Sequence, residues 1–369
     1  MAVRRSILIF EYLIASPRTW RDASASMQRE ATSMLASVVS DFARLPDVRP
    51  VVLVAADVLE RVTSSGQFPA NVEILSVDDG PAAWLAHPLR DPETLAATMV
   101  IAPESGGILV SLLQQLQTGR WQVVPNLNVS WTLAEIFTDK YRTFEWLQQH
   151  GLPTPVTKAI SVAGHGQLKR FRGCEHLFTD GQSMPKDFGL GVLKPRDGVG
   201  CDGISFIQLS GDEFSPSVSM LSDELPWLLQ EYVSGVPCSV GFIGGRGSGP
   251  ATILPPATQN LRLQNGQPVY CGGRIPCEVD LLNAITPLAE KLASALSDFS
   301  GYLGADVVVG TDSSDELVAT VIEINPRLCS SYAGYRRATV GNLAELILRG
   351  RKETQVLWNT GLTEFDACD

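Results

Sequence analysis

Short apolar runs alternate with longer segments of helical periodicity in the first third of the chain, and few folds accept that rhythm. Ile7–Phe10, Val51–Ala55, Asn71–Val77 and Met99–Ala102 read as strands. Between them Ala23–Phe42 carries Met27, Met34, Leu35, Val38 and Val39 near helical spacing, and a further helix is expected from about Gly106 to Gln117. Strands alternating with helices specify a parallel, doubly wound sheet. Ligands bind such sheets beyond the C-terminal ends of the strands. Glu11–Tyr12 and Pro103–Glu104–Ser105 directly follow strands, so each is either the border of a site or plain loop.

The pattern then changes. One helix is expected from about Ser130 to His150, where Gly151 followed by Pro153 and Pro155 is a stop signal. Short strands follow at Gly191–Lys194, Ile204–Gln208, Leu228–Val233, Ser239–Ile243 and Ala251–Leu254, with Gly244–Pro256 read as a hairpin and connection. Ala284–Asp298 reads as a helix. Ala305–Val309 and Val318–Ile324 read as two strands around the turn Thr311–Glu316, and Asn342–Arg349 as a closing helix. The tail after about Gln355 is expected to be loose. A chain of 369 residues exceeds what one core fills, so two or three domains are expected.

Several classes lose ground on composition. The net charge is −11 with no long basic run, which argues against a general nucleic-acid binder. Seven scattered cysteines form no C-x-x-C pair, which reads as reduced thiols in a cytoplasm rather than disulfides or zinc. The four histidines lie far apart. Arg4–Arg5 before the apolar Ser6–Ala15 imitates a secretion signal, but Glu11 interrupts it, so a core strand is the better reading. No apolar run approaches the ~20 residues of a membrane helix.

Three segments carry chemistry. Glu323 and Asn325 are two apart on one expected strand, so they share a face, and Asp306 on the preceding strand can meet Glu323 across the turn. Two carboxylates and an amide oxygen are hard ligands suited to Mg²⁺. Val307, Val309, Ile322 and Ile324 would project to the opposite face, and alternation alone equally allows a solvated acidic face. Next, Lys194 stands at the start of a Gly-rich loop through Gly203, where backbone N–H groups and a lysine charge can cradle phosphate. Gly198, Gly200 and Gly203 spell G-x-G-x-x-G, but a strand rather than a helix follows, so a dinucleotide fingerprint is not supported; a plain β-turn remains open. Third, the strand ending in Gln230-Glu231-Tyr232-Val233 offers backbone groups to an adenine edge and a carboxylate to a ribose.

The order Asp139-Lys140, Lys194 with its Gly-rich loop, Gln230–Val233, Asp306, then Glu323-Ile-Asn325-Pro-Arg327 resembles the ATP-grasp superfamily over roughly residues 130–345. The resemblance implies an α/β and α+β chain, an ATP-grasp fold preceded by a doubly wound α/β pre-ATP-grasp domain. Its implied boundaries are 1–128 for that domain, 129–233 for the central subdomain, 234–352 for the C-terminal subdomain and 353–369 for the tail. Lys140, Lys194, Gly198, Gly200, Gln230, Glu231 and Val233 would bind ATP. Asp306, Glu323 and Asn325 would bind Mg²⁺, with Mn²⁺ an alternative. Lys194 and Arg327 would be catalytic, Arg327 near the γ-phosphate or acyl phosphate. The Asp306–Glu323 separation is longer than in some members, which a longer hairpin explains.

Ile9-Phe-Glu-Tyr12, Ile101-Ala-Pro-Glu104, Asn126 and Tyr270-Cys-Gly-Gly273 with Pro276 further resemble the tyramine–glutamate ligase group, which makes an amide in methanofuran-type cofactor biosynthesis. Glu11, Tyr12, Glu104, Gln259 and Gly273 are then the substrate candidates. The implied reaction joins a small-molecule carboxylate and an amine through an acyl phosphate, in the cytoplasm, without nucleic acid or membrane; a homodimer is compatible with it. A small-molecule kinase or a non-catalytic ATP sensor on the same fold are the alternatives.

Overall fold

The computed structural model describes residues 4–64, 66, 68–87, 91–160, 190–198, 203–208, 227–245, 251–264, 267–296, 299–350 and 356–366. Strands β1 (Arg5–Glu11), β2 (Val48–Ala55), β3 (Glu73–Val77) and β4 (Leu95–Ile101) form a four-stranded parallel sheet in the order β3-β2-β1-β4. Helices α1 (Pro17–Asp22), α2 (Ala25–Ala43), α3 (Leu59–Ser64), α4 (Pro81–Ala86) and α5 (Ile108–Gln117) connect and cover it. Ile7 and Ile9 share a buried cluster with Leu35, Val38 and Phe42 of α2, whereas Leu8 and Phe10 share another with Leu109, Leu112 and Leu116 of α5. Burial on both faces is why β1 reads as a continuous apolar run instead of alternating. Glu11 is the polar exception, 3% exposed at the strand's C-terminal end.

The helix expected over 130–150 is broken. It forms as α6 (Trp131–Phe137) and α7 (Lys140–Gln149), because Asp139 caps the second helix. Its Oδ1 accepts from the backbone N–H groups of Tyr141 at 2.9 Å and Arg142 at 3.2 Å.

Strands β5 (Thr157–Ile160), β6 (Leu190–Pro195), β7 (Ser205–Gln208) and β8 (Trp227–Glu231) make an antiparallel sheet in the order β5-β8-β6-β7. The third sheet comprises β9 (Val236–Gly244), β10 (Thr252–Ile253), β11 (Ala257–Gln264), β12 (Gln267–Ile275), β13 (Gly301–Thr311), β14 (Leu317–Asn325) and β15 (Thr363–Phe365), in the order β14-β13-β9-β11-β12-β15 with β10 on β9. One face packs Val240, Phe242, Leu303 and Val307 with Leu281, Ile285 and Leu292 of α8 (Val279–Ala295). The other face carries Tyr302 into the cluster of α2, α9 (Ser331–Ala338) and α10 (Leu343–Arg349).

The tail is not loose. β15 pairs with β12, and Phe365 is 4% exposed. It lies on Gly334, where a Cβ would stand 2.4 Å from the Phe365 ring, so only glycine admits it. Among the described residues no helix is long and apolar enough to cross a membrane.

Asp41 of α2 staples the first sheet's layer to the third. It is 1% exposed and accepts from Tyr332 Oη at 3.0 Å and Arg336 Nε at 2.7 Å, while Asn342 Nδ2 donates to its carbonyl at 2.8 Å. Burial raises its pKa, and the Arg336 charge opposes that shift. Asp41→Ala leaves a guanidinium and a buried phenol without their acceptor and should lower stability by about 3 kcal/mol. Urea denaturation reads this; a change within about 0.5 kcal/mol, typical of an ordinary surface site, would contradict the staple.

Candidate active site

The β13–β14 hairpin turns at Asp312, whose Oδ1 accepts from Ser314 N at 2.8 Å and Glu316 N at 3.1 Å. Its register sets Asp306 opposite Glu323 and Gly304 opposite Asn325. A bulge follows immediately, since Val307 pairs with Val321. Ile322 is the extra residue and is half-buried; Val321, not Ile322, enters the core with Ile324. The three candidate ligands share one face by register, and the bulge lets the strand beyond them keep its apolar side inward.

Asp306 accepts from Gln259 Nε2 at 2.7 Å and Asn325 Nδ2 at 2.9 Å. Burial raises its pKa to about 6, helped by the Glu323 charge and opposed by Asn325, Gln259 and Arg327. Burial pushes Glu323 the same way, but Lys140, Lys194 and Arg327 together hold it below the usual range. Two carboxylates that repel across one strand pair, with the Asn325 amide oxygen left available, fit Mg²⁺ or Mn²⁺. Among the described residues no group of three or more His, Cys, Asp or Glu gathers as a metal cage. A cation here would share its coordination with substrate phosphates, as Mg²⁺ commonly does.

Lys140 is the first residue of α7, where a cation opposes the helix dipole. Its neighbours explain it. Nζ lies 3.7 Å from Glu323 Oε2 and donates to the carbonyl of Gly198. Asp139 grips Arg196 through both oxygens, at 2.7 Å to Nε and 2.6 Å to Nη2, and Lys140 N donates to the Arg196 carbonyl at 3.0 Å. The Arg196 guanidinium also lies 5.3 Å from the Tyr141 ring centre. The start of the Gly-rich loop is therefore clamped to the N-terminus of α7. Lys194, 3% exposed on β6, acts electrostatically on Glu323. The structure brings Lys140, Lys194, Gly198, Asp306, Glu323 and Asn325 together; Gly200 lies outside the described residues. The Asp139–Arg196 clamp escaped the sequence reading, although an Asp directly before Lys140 is a recognisable cap signal.

Near the end of β8, Gln230 is buried and donates from Nε2 to Thr157 Oγ1 at 3.0 Å, tying β8 to β5. Glu231 is exposed at the strand end, and Val233 is half-buried in the link to β9.

The third wall is the C-terminal edge of the parallel sheet. Arg327 Nε lies 2.8 Å from Glu104 Oε1, with Glu104 5% exposed. Glu11 Oε2 accepts from Ile14 N at 2.9 Å. Burial raises the Glu11 pKa to about 7, against the backbone N–H groups of Ile14 and Leu13 and the Arg327 charge. Tyr12 follows, half-buried, its N–H on the Ile101 carbonyl at 2.8 Å. Gly273 sits opposite Gln259 in the β11–β12 register. Glu30 of α2, absent from the sequence candidates, also reaches this wall, accepting from Ser330 Oγ at 3.2 Å. A mid-helix glutamate carries no local signal; only the docking of α2 brings it here.

Two carboxylates thus face lysines beside the clamped start of a glycine loop. Residues 137–331 match the ATP-grasp domain family, more than half of the 369 residues, and the chain belongs to that family. It is an ATP-grasp ligase by its relatives. The tyramine–L-glutamate ligase of Methanocaldococcus fervens is 24% identical over 360 residues, covering 97% of this chain and 98% of that one. Among solved structures, a putative ATP-grasp superfamily protein from Archaeoglobus fulgidus superposes with a TM-score of 0.61 at 20% identity, covering 98% of both chains. An N5-carboxyaminoimidazole ribonucleotide synthetase in its ADP complex gives a TM-score of 0.62 at 16% identity, covering 98% of this chain and 80% of that one.

The Glu11 environment makes a stability prediction. Its folded pKa of about 7 exceeds the ordinary glutamate value of 4.5, so the folded state holds the proton more tightly. The ionisation penalty is absent below the lower value, grows between the two, and is complete above the higher. Glu11→Gln keeps an oxygen for the Ile14 N–H and removes that penalty. Relative to wild type it should gain about 2–3 kcal/mol in unfolding free energy between pH 5 and pH 8. A difference independent of pH would contradict the burial argument.

Proposed function

We propose that the chain is an ATP- and Mg²⁺-dependent carboxylate–amine ligase working through an acyl phosphate, which joins glutamate to an aromatic amine such as tyramine. The observation that carries the reading is the Asp306–Glu323 pair with Lys140 and Lys194 directed at it. The substrate pair is taken from the name of the Methanocaldococcus fervens relative, whose length this chain matches almost throughout.

The chemistry follows from charge. A carboxylate attacking the γ-phosphorus of ATP brings anions together, and the site answers with cations. Lys140 and Lys194 would hold phosphate oxygens, and Arg327 would orient the carboxylate and the transferring phosphoryl group. Asp306, Glu323 and Asn325 would hold Mg²⁺, which supplies charge neutralisation on the phosphates when bound. Attack releases ADP and leaves a mixed anhydride of the carboxylate and phosphate. The amine nitrogen then attacks its carbonyl carbon, the C–O bond to phosphate breaks, and inorganic phosphate leaves. No side-chain nucleophile is needed. Because an acyl phosphate hydrolyses in water, the clamp of Arg196 and Gly198 on α7 would serve to hold the start of the loop beside the phosphates.

Phosphate release from ATP and Mg²⁺ should require both glutamate and an aromatic amine, and the products should be ADP, phosphate and amide. A stable phosphorylated product would instead indicate a kinase, and binding without turnover a sensor. Lys194→Ala and Glu323→Gln should each lower kcat by about 100-fold or more. Undiminished amide formation in either would defeat the role given to that residue.

A further inference from the structure

Two amides aim the Asp306 carboxylate. Gln259 Nε2 donates to Oδ1 at 2.7 Å and Asn325 Nδ2 to Oδ2 at 2.9 Å. Groups that orient a ligating carboxylate govern how well it holds a metal. Asn325 stands on β14 itself, but Gln259 stands on β11 at the point where that strand leaves β9. The β9–β11 pairs end at Thr258. From Gln259 onward β12 is the strand that pairs with β11 among the described residues, and Gln259 lies opposite Gly273.

That pair is the last before a bulge, in which Cys271 and Gly272 of β12 face the single residue Asn260. The two glycines are buried between backbones. A Cβ on Gly273 would meet the Thr258 carbonyl of β11, and one on Gly272, at φ 105°, would meet the Phe365 carbonyl of β15. Directly after the bulge, Gly273, Arg274 and Ile275 pair with Phe365, Glu364 and Thr363 of β15. Phe365 rests in turn on Gly334 of α9. One row therefore runs from α9 through Phe365 and Gly273 to Gln259 and Asp306, and three glycines make room for it. A bulge invites a one-residue slip, which exchanges the faces of a strand, and β15 opposes that slip from the outer edge of β12.

We propose that β15 is a positioning strand for the Asp306 carboxylate, and that Phe365, through Gly273, sets where the Gln259 amide meets it. Phe365 is a positioning residue, acting on the site through β12 and β11. The inference rests on the reading of Asp306 as a metal ligand, and not on which carboxylate and amine are joined.

The test is equilibrium binding of ADP to the full chain, once with Mn²⁺ and once with EDTA. Wild type, Gln259→Ala, Phe365→Ala, Phe365→Leu and the Gln259→Ala/Phe365→Leu pair are compared below the thermal midpoint of each. Phe365→Leu keeps an apolar side chain over Gly334 and carries the test if Phe365→Ala does not fold. Gln259→Ala and Phe365→Ala should each cut the affinity gained from Mn²⁺ by about tenfold, and Phe365→Leu by less. ADP without metal should bind every variant as it binds wild type. Because Phe365 acts through Gln259, Phe365→Leu should add no further loss to Gln259→Ala. Equal loss with and without Mn²⁺ would make the strand a structural support alone. That result, no loss in either single variant, an additive loss in the pair, or no Mn²⁺-dependent gain in wild type would overturn the proposal. The expected pattern without amide formation from glutamate and tyramine would defeat the ligase reading and leave the positioning strand standing. Amide formation with Mn²⁺–ADP binding untouched by either substitution would do the reverse.

Discussion

Asp306 and Glu323 face each other across one strand pair, and two carboxylates in that position repel. Their juxtaposition survives because the surroundings answer it from several directions. Gln259 and Asn325 donate amide hydrogens to Asp306. Lys140, Lys194 and Arg327 act on Glu323. These partners come from α7, β6, β11, β14 and the segment just after β14, so the pair can exist only when both antiparallel sheets and the helix between them are in place. Strong local fields without full compensation are what a site needs if it is to take up a cation and a polyphosphate.

The same logic explains two contacts that look merely structural. The Asp139–Arg196 grip fixes the start of the Gly-rich loop to the helix that presents Lys140. Arg327 closes the opposite side by reaching Glu104, at the C-terminal edge of the parallel sheet. Asp41 holds α2 to α9 and thereby keeps Glu30 at the same edge. Each charged side chain therefore serves as a partner for one group and a wall for another.

How much of this the sequence disclosed depends on how local the cause is. The parallel strands were legible because burial on both faces leaves an uninterrupted apolar run, as in Ile7–Phe10. The convergence of Asp306, Glu323 and Asn325 was legible because residues two apart share a strand face and the Asp312 turn is written in its own residues. The bulge at Ile322 was not, since it arises from the pairing of two strands rather than from either. The break between α6 and α7 is hidden in the sequence because apolar periodicity runs through Thr138, although Asp139 caps the second helix. The β11–β12 hairpin and the docking of Phe365 on Gly334 are tertiary events. Glu30 is the clearest limit: its contact with Ser330, 300 positions away, exists only through the docking of α2.

The central claim is that this arrangement activates a carboxylate by phosphorylation. Glutamate labelled with ¹⁸O in its carboxylates, supplied with ATP, Mg²⁺ and tyramine, tests it most directly. The account predicts that the released inorganic phosphate carries one ¹⁸O from the carboxylate, detected as a shifted ³¹P resonance. Phosphate released alongside amide formation with no label transferred would contradict it.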